Sequence, residues 1–172
     1  NESVRFYLSS LLIEKDNFDC HFGLAMAYKH IHEYAKAIKI LNKAKKLKKS
    51  YELHYELGIL YILWENPCAA AKEFREAIMI DKTKIDAQLQ LAKAHEVLGE
   101  NDMAELMYNR IIELNPTNAA AYNNKATMYM NENLYFEAGA TYNQLIKINP
   151  NFSQAYFGLG ICFEKLGKTV DS

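Results

Sequence analysis

The chain has 172 residues, half of them hydrophobic, with 20 Lys and Arg against 21 Asp and Glu and a formal net charge of −1. So even a balance gives the chain as a whole no electrostatic reason to hold nucleic acid or an anionic membrane, and protein partners are expected instead. No run reaches the roughly 20 apolar residues of a membrane span, no charged-then-apolar segment at the start marks secretion, and three prolines and seven glycines suit helices.

In chain order, Val4, Leu8, Leu11 and Leu12 recur at helical spacing between Glu2 and Glu14, and Lys15-Asp16-Asn17 follows as a stop. Residues 18–50 predict helices near 18–31 and 34–47, with Ala25 and Tyr28 on the first and Ala37, Leu41 and Ala44 on the second. Residues 51–84 carry Leu57-Gly58-x-x-Tyr61, then Ala70, Phe74 and Ala77, with a turn at Trp64-Glu65-Asn66-Pro67, where Asn66 can cap and Pro67 needs no amide donor. Residues 85–118 place Ala92, Ala104, Tyr108 and Pro116 in the same slots and turn at Gly99-Glu100-Asn101-Asp102. Residues 119–152 repeat the pattern with Tyr122, Ala126 and Tyr129, a turn near Asn133-Leu134-Tyr135, then Tyr135, Ala138, Tyr142 and Leu145, and Asn149-Pro150-Asn151 as the stop. Residues 153–172 open a further first helix, Ser153 to Leu166, with Tyr156, Leu159, Gly160 and Phe163, followed by Gly167 and a short tail.

Four helix-turn-helix units thus repeat at a period of 33 to 34 residues, the sign of a solenoid. The slots resemble the tetratricopeptide repeat family, and the resemblance covers nearly the whole chain. It departs from the family where the early tryptophan is His21, His54, Gln88, Tyr122 and Tyr156 in turn, and where Lys49 and Lys82 replace the closing proline, which should leave those two connections less sharply fixed. The resemblance implies an all-α, right-handed superhelical solenoid. Residues 1–17 are then the second helix of an incomplete repeat, residues 18–50, 51–84, 85–118 and 119–152 are repeats, and residues 153–172 are the first helix of a truncated one. Nine helices packed as neighbours should give a radius of gyration above the roughly 16 Å of a compact globule of this length, which solution scattering measures. Asn1 stands where an initiator methionine would, so the chain reads as cut from a longer protein or processed at its start.

The remaining features have structural readings. Lys36, Lys39, Lys43, Lys45, Lys46, Lys48 and Lys49 read as a solvated face behind the inward Ile38, Leu41, Ala44 and Leu47, without the aromatics or arginines of a basic interface. His30 and His32, two apart, do not share a helix face, and with His21 they form no metal set. Cys20, Cys68 and Cys162 lie in different units without Cys-x-x-Cys spacing and read as small buried fillers, fitting a reducing, intracellular and cytoplasmic setting. Asp19, Glu52 and Asp86 suit the first turns of helices through the dipole. Gly58 and Gly160, with Ala25, Ala92 and Ala126 in equivalent slots, mark close helix approach. No phosphate loop, nucleophile elbow or paired histidines appear, so neither an enzyme nor a cofactor is expected.

The resemblance implies a non-catalytic protein-protein interaction module or scaffold that holds a peptide or helix of a partner in its concave groove. Two alternatives stand beside it: a self-assembling structural scaffold, and a positioning or regulatory arm of an enzyme whose catalytic domain lies outside these residues. The expected groove is a row continuous across units: Phe22 and Met26, Tyr55 and Ile59, Leu89 and Lys93, Asn123, Asn124 and Thr127, Phe157 and Ile161. Phe22 and Tyr55 are the expected anchors, while Met26 and Ile59 serve equally well as packing between units. The row lacks the lysine, asparagine and arginine set of family members that bind acidic chaperone tails. The unpaired terminal helices, with Leu8, Leu11, Leu159 and Phe163, are expected to fray or to self-associate. Hydrogen exchange and sedimentation read this together, and a strict monomer with fully protected ends would count against it.

Overall fold

A computed structural model describes residues 2–170, with side chains through residue 167. Among them are ten helices, α1 (Glu2–Ile13), α2 (Phe18–His30), α3 (Tyr34–Leu47), α4 (Tyr51–Leu63), α5 (Pro67–Ile80), α6 (Ile85–Val97), α7 (Asn101–Leu114), α8 (Ala119–Asn131), α9 (Tyr135–Ile148) and α10 (Ser153–Val170). The expected nine is one short: the four repeats give eight helices, and the two flanking half-repeats give α1 and α10. Nor does α10 stop before Gly167; it continues to Val170. The chain divides into two compact bodies, Asn1–Ala94 and His95–Ser172.

Helix starts follow the capping residues. Asn17, Ser50, Asn66 and Asn118 accept the amide N–H three residues on, from Cys20, Leu53, Ala69 and Ala121, at 2.9–3.2 Å. The turns between paired helices share one geometry. His32, Glu65, Gly99 and Asn133 all have positive φ, from 53° to 74°. The next residue, Glu33, Asn66, Glu100 or Leu134, donates its N–H back to Tyr28, Tyr61, His95 or Tyr129, closing a Schellman motif each time. Only Gly99 meets the left-handed requirement without strain, and a Cβ there would touch nothing within 4 Å. Gly99→Ala should therefore cost about 1 kcal/mol for backbone conformation alone, read as a lower urea midpoint by circular dichroism.

Between units, Asn115 and Asn149 accept backbone N–H groups two residues on, from Thr117 and Asn151. Asp81 does the same for Thr83 and also takes its hydroxyl at 2.6 Å. The connection at Lys82, expected to be loose without proline, is closed by this Asp81 turn.

In the first body α1 packs on α2, α2 on α3, α3 on α4 and α4 on α5. Ala25, Ala37, Leu41, Ala44, Leu53, Leu57 and Leu60 form one fully buried cluster, flanked by half-buried Phe18, Phe22 and Met26. Gly58 lies under the ring of Phe74, which a Cβ would overlap; Gly23 lies under Tyr7 in the same way. In the second body α7 packs on α8, α8 on α9 and α9 on α10. There Gly158, not Gly160, is the close approach, sitting under Tyr142, while Gly160 is exposed with nothing within 4 Å. The reason is that Gly58 is crossed by the second helix of its own unit, and α10 has no such helix among the described residues.

Three other readings change. Leu47 is 40% exposed instead of inward. Lys45 turns in, its Nζ 2.7 and 2.9 Å from the Glu73 carboxylate, which also accepts the Nδ1–H of fully buried His54 at 2.7 Å. Of the cysteines only Cys162 is buried; Cys20 is half-buried and Cys68 exposed.

Candidate interaction site

In the first body the start of α4 brings Tyr51 and Tyr55, four apart, onto one face, with their rings stacked at 5.8 Å. Glu52 and Glu56 repeat the spacing beside them. Phe22 arrives from α2, where it stacks on Phe18 at 6.0 Å, and Asp86 comes from the first turn of α6. With Lys84 these residues line an open groove of about 470 Å³.

The groove's polar groups are tied down unevenly. Lys84 Nζ sits 2.7 Å from Glu52 and 4.1 Å from the centroid of the Tyr51 ring. Its hydrogen bond draws the Glu52 carboxyl below the usual range. Glu56 pairs with Lys29 at 2.6 Å. Asp86 is exposed and has no ion-pair partner among the described residues. Burial, then the charges of Asp86 and Glu56, raises the Tyr55 hydroxyl.

Burial also pushes Tyr51 up to about 12, against the opposing Ala87 N–H that it accepts at 3.2 Å. A tyrosine ionises near 10 when unfolded, so the neutral Tyr51 stabilises the fold fully below pH 10 and loses that contribution as pH rises towards 12. Between pH 10 and 12 the urea midpoint should fall less steeply in Tyr51→Phe than in the parent chain. Trp64, the single tryptophan, lies at the end of α4 and reports unfolding of this body.

Of the expected row, the groove brings together Phe22 and Tyr55. Met26 is half-buried against the core cluster, Ile59 and Leu89 are half-buried and Lys93 is exposed. In the second body Asn123 and Asn124 are half-buried. Thr127, expected to offer a hydroxyl, instead donates it to the Asn123 carbonyl one turn back at 2.8 Å. Phe157 is 74% exposed and Ile161 half-buried. The row omits Tyr51, Glu52, Glu56, Lys84 and Asp86. The pairs 51/55 and 52/56 were a usable signal, whereas Lys84 and Asp86 reach the groove only through the packing of α6.

Among the described residues no group of three His, Cys, Asp or Glu side chains could hold a metal ion, and no helix is long and apolar enough to cross a membrane.

A repeating helix-turn-helix unit, with small residues where helices cross and the same turn in every pair, defines a solenoid of tetratricopeptide type. Three family models, each described as tetratricopeptide repeat, match residues 18–51 and 119–152, residues 85–128, and residues 141–172. The chain belongs to the tetratricopeptide repeat family. It is similar to anaphase-promoting complex subunit 3 of Schizosaccharomyces pombe, 27% identical over 78% of this chain and 20% of that protein. It is also similar to the BBSome complex member BBS4 of Bos taurus, 21% identical over 96% of this chain and 32% of that protein. The chain thus spans a third or less of either relative. Among solved structures YrrB superposes with a TM-score of 0.78 at 21% identity, over 90% of this chain and 80% of that one, which shows the shared fold.

Proposed function

We propose that the chain is a non-catalytic protein-protein interaction module that docks a peptide or helix of a partner protein, with Phe22 and Tyr55 as anchors. The observation that carries this is the groove itself, in which two aromatic residues placed by sequence spacing on different helices meet around an open cavity. Met26, Ile59, Leu89 and Lys93, and in the second body Asn123, Asn124, Thr127, Phe157 and Ile161, are proposed as further contacts. The relatives support the reading by their descriptions: two are named for complexes, and YrrB is described as having an unusual peptide-binding site. The near-zero net charge favours protein over nucleic acid as partner, and free thiols favour a cytoplasmic setting.

Phe22→Ala and Tyr55→Ala should each weaken a bound partner by on the order of 2 kcal/mol, as truncated interface anchors do. Affinity capture with the parent chain, followed by titration of the purified partner against both variants, measures this. Both rings also touch their own core, so melting curves run alongside. Unfolding of the variants with no separate binding loss would assign both residues to the core.

A second reading, self-association through the terminal helices, rests on apolar exposure. Phe6, Leu12 and Ile13 on α1 are 67%, 80% and 86% exposed, and Phe163 on α10 is 63% exposed. Sedimentation should then show concentration-dependent mass; a constant monomer mass would remove this reading.

A further inference from the structure

We propose that the segment docked in the Phe22–Tyr55 groove is cationic, presenting an arginine or lysine beside an apolar residue; this rests on the docking function proposed above. The walls are aromatic, from Phe22, Tyr51 and Tyr55, and of the three carboxylates in the lining Glu52 pairs with Lys84 and Glu56 with Lys29. The Lys84 ammonium is already neutralised by Glu52 at 2.7 Å, so it offers little to an anion. Asp86, by contrast, has no ion-pair partner among the described residues and is open to solvent.

The chain itself displays the chemistry. Lys84 lays its ammonium on the face of Tyr51 while bonding a carboxylate, and a guest cation would find the same pairing in Tyr55 with Asp86. Arginine suits this best, since its flat guanidinium stacks on rings and forks onto a carboxylate. First-turn preference for acids accounts for Glu52 and Asp86, and the ion pair with Lys29 at 2.6 Å accounts for Glu56, so what the groove offers a guest is Asp86 beside the aromatic walls. An acidic segment would meet the uncompensated Asp86 carboxylate and, among the described lining residues, no free ammonium, and is disfavoured.

The test is selection of a random dodecapeptide phage library on the whole chain, followed by titration of the enriched peptides. Lys84→Gln and Asp86→Asn change charge with little change of shape at positions that keep contact with water, and melting curves confirm folding. Enriched peptides should carry Arg or Lys. They should bind about threefold to fivefold more weakly to Asp86→Asn, the size of a partly exposed ion pair, and should bind more tightly to Lys84→Gln, which frees Glu52 and Tyr51. Added salt should weaken them. Neutral or acidic peptides that still need Phe22 and Tyr55 would overturn the cationic occupant and leave the groove in place. Peptides indifferent to Phe22→Ala and Tyr55→Ala, or no enrichment at all, would overturn both.

Discussion

Phe74→Ala should destabilise the first body by about 3–5 kcal/mol, the cost of deleting a fully buried aromatic side chain. Phe74 fills the slot held by Leu41, Tyr108 and Tyr142 in other units, and its ring covers Gly58 so closely that no Cβ fits between them. The two positions are therefore coupled. Gly58→Ala alone should cost about 1–3 kcal/mol through overpacking, and much less in the Phe74→Leu background, where the narrower side chain leaves room for the methyl. Urea unfolding followed by Trp64 fluorescence measures all four corners of the cycle. Additive costs would mean that the helices move apart without strain and that the small residue is not what sets their approach.

Glu73→Ala should cost about 3 kcal/mol, the low end for breaking a buried charged pair, because Lys45 keeps about a quarter of its side chain in water. The carboxylate serves two donors, the Lys45 ammonium and the His54 Nδ1–H, and its loss strands an imidazole that is fully buried. Lys45→Met with Glu73→Leu should recover only part of the loss, since it removes the orphaned ammonium but still leaves the buried His54 Nδ1–H without its acceptor. Adding His54→Phe, which replaces the whole network with apolar groups, should recover more, and no further gain from it would show that His54 does not depend on the carboxylate.

Much of the repeat could be read in advance because its signals are local. Small residues at helix crossings are a matter of spacing within one helix, and Ala25, Ala92 and Ala126 are indeed fully buried. Caps lie within three residues of what they cap, so Asn66 and its neighbours were equally legible. What escaped depends on a neighbouring helix. Lys45 looked like one of a row of solvated lysines until α5 brought Glu73 to it. Gly160 and Gly158 differ by two positions on one helix, and only the packing of α9 on α10 decides which is crossed. The groove divides the same way: Phe22 and Tyr55 follow from spacing on their own helices, whereas Lys84 and Asp86 enter through the packing of α6. The acids at 52 and 86 had a sufficient local explanation in the helix dipole, which hid their convergence.

Hydrogen exchange of the chain with and without a captured partner tests the docking groove most directly. Slowed exchange should centre on the start of α4, around Tyr51 to Glu56, and on the turn of α2 that carries Phe22. Unchanged exchange in both segments, with protection elsewhere, would contradict it.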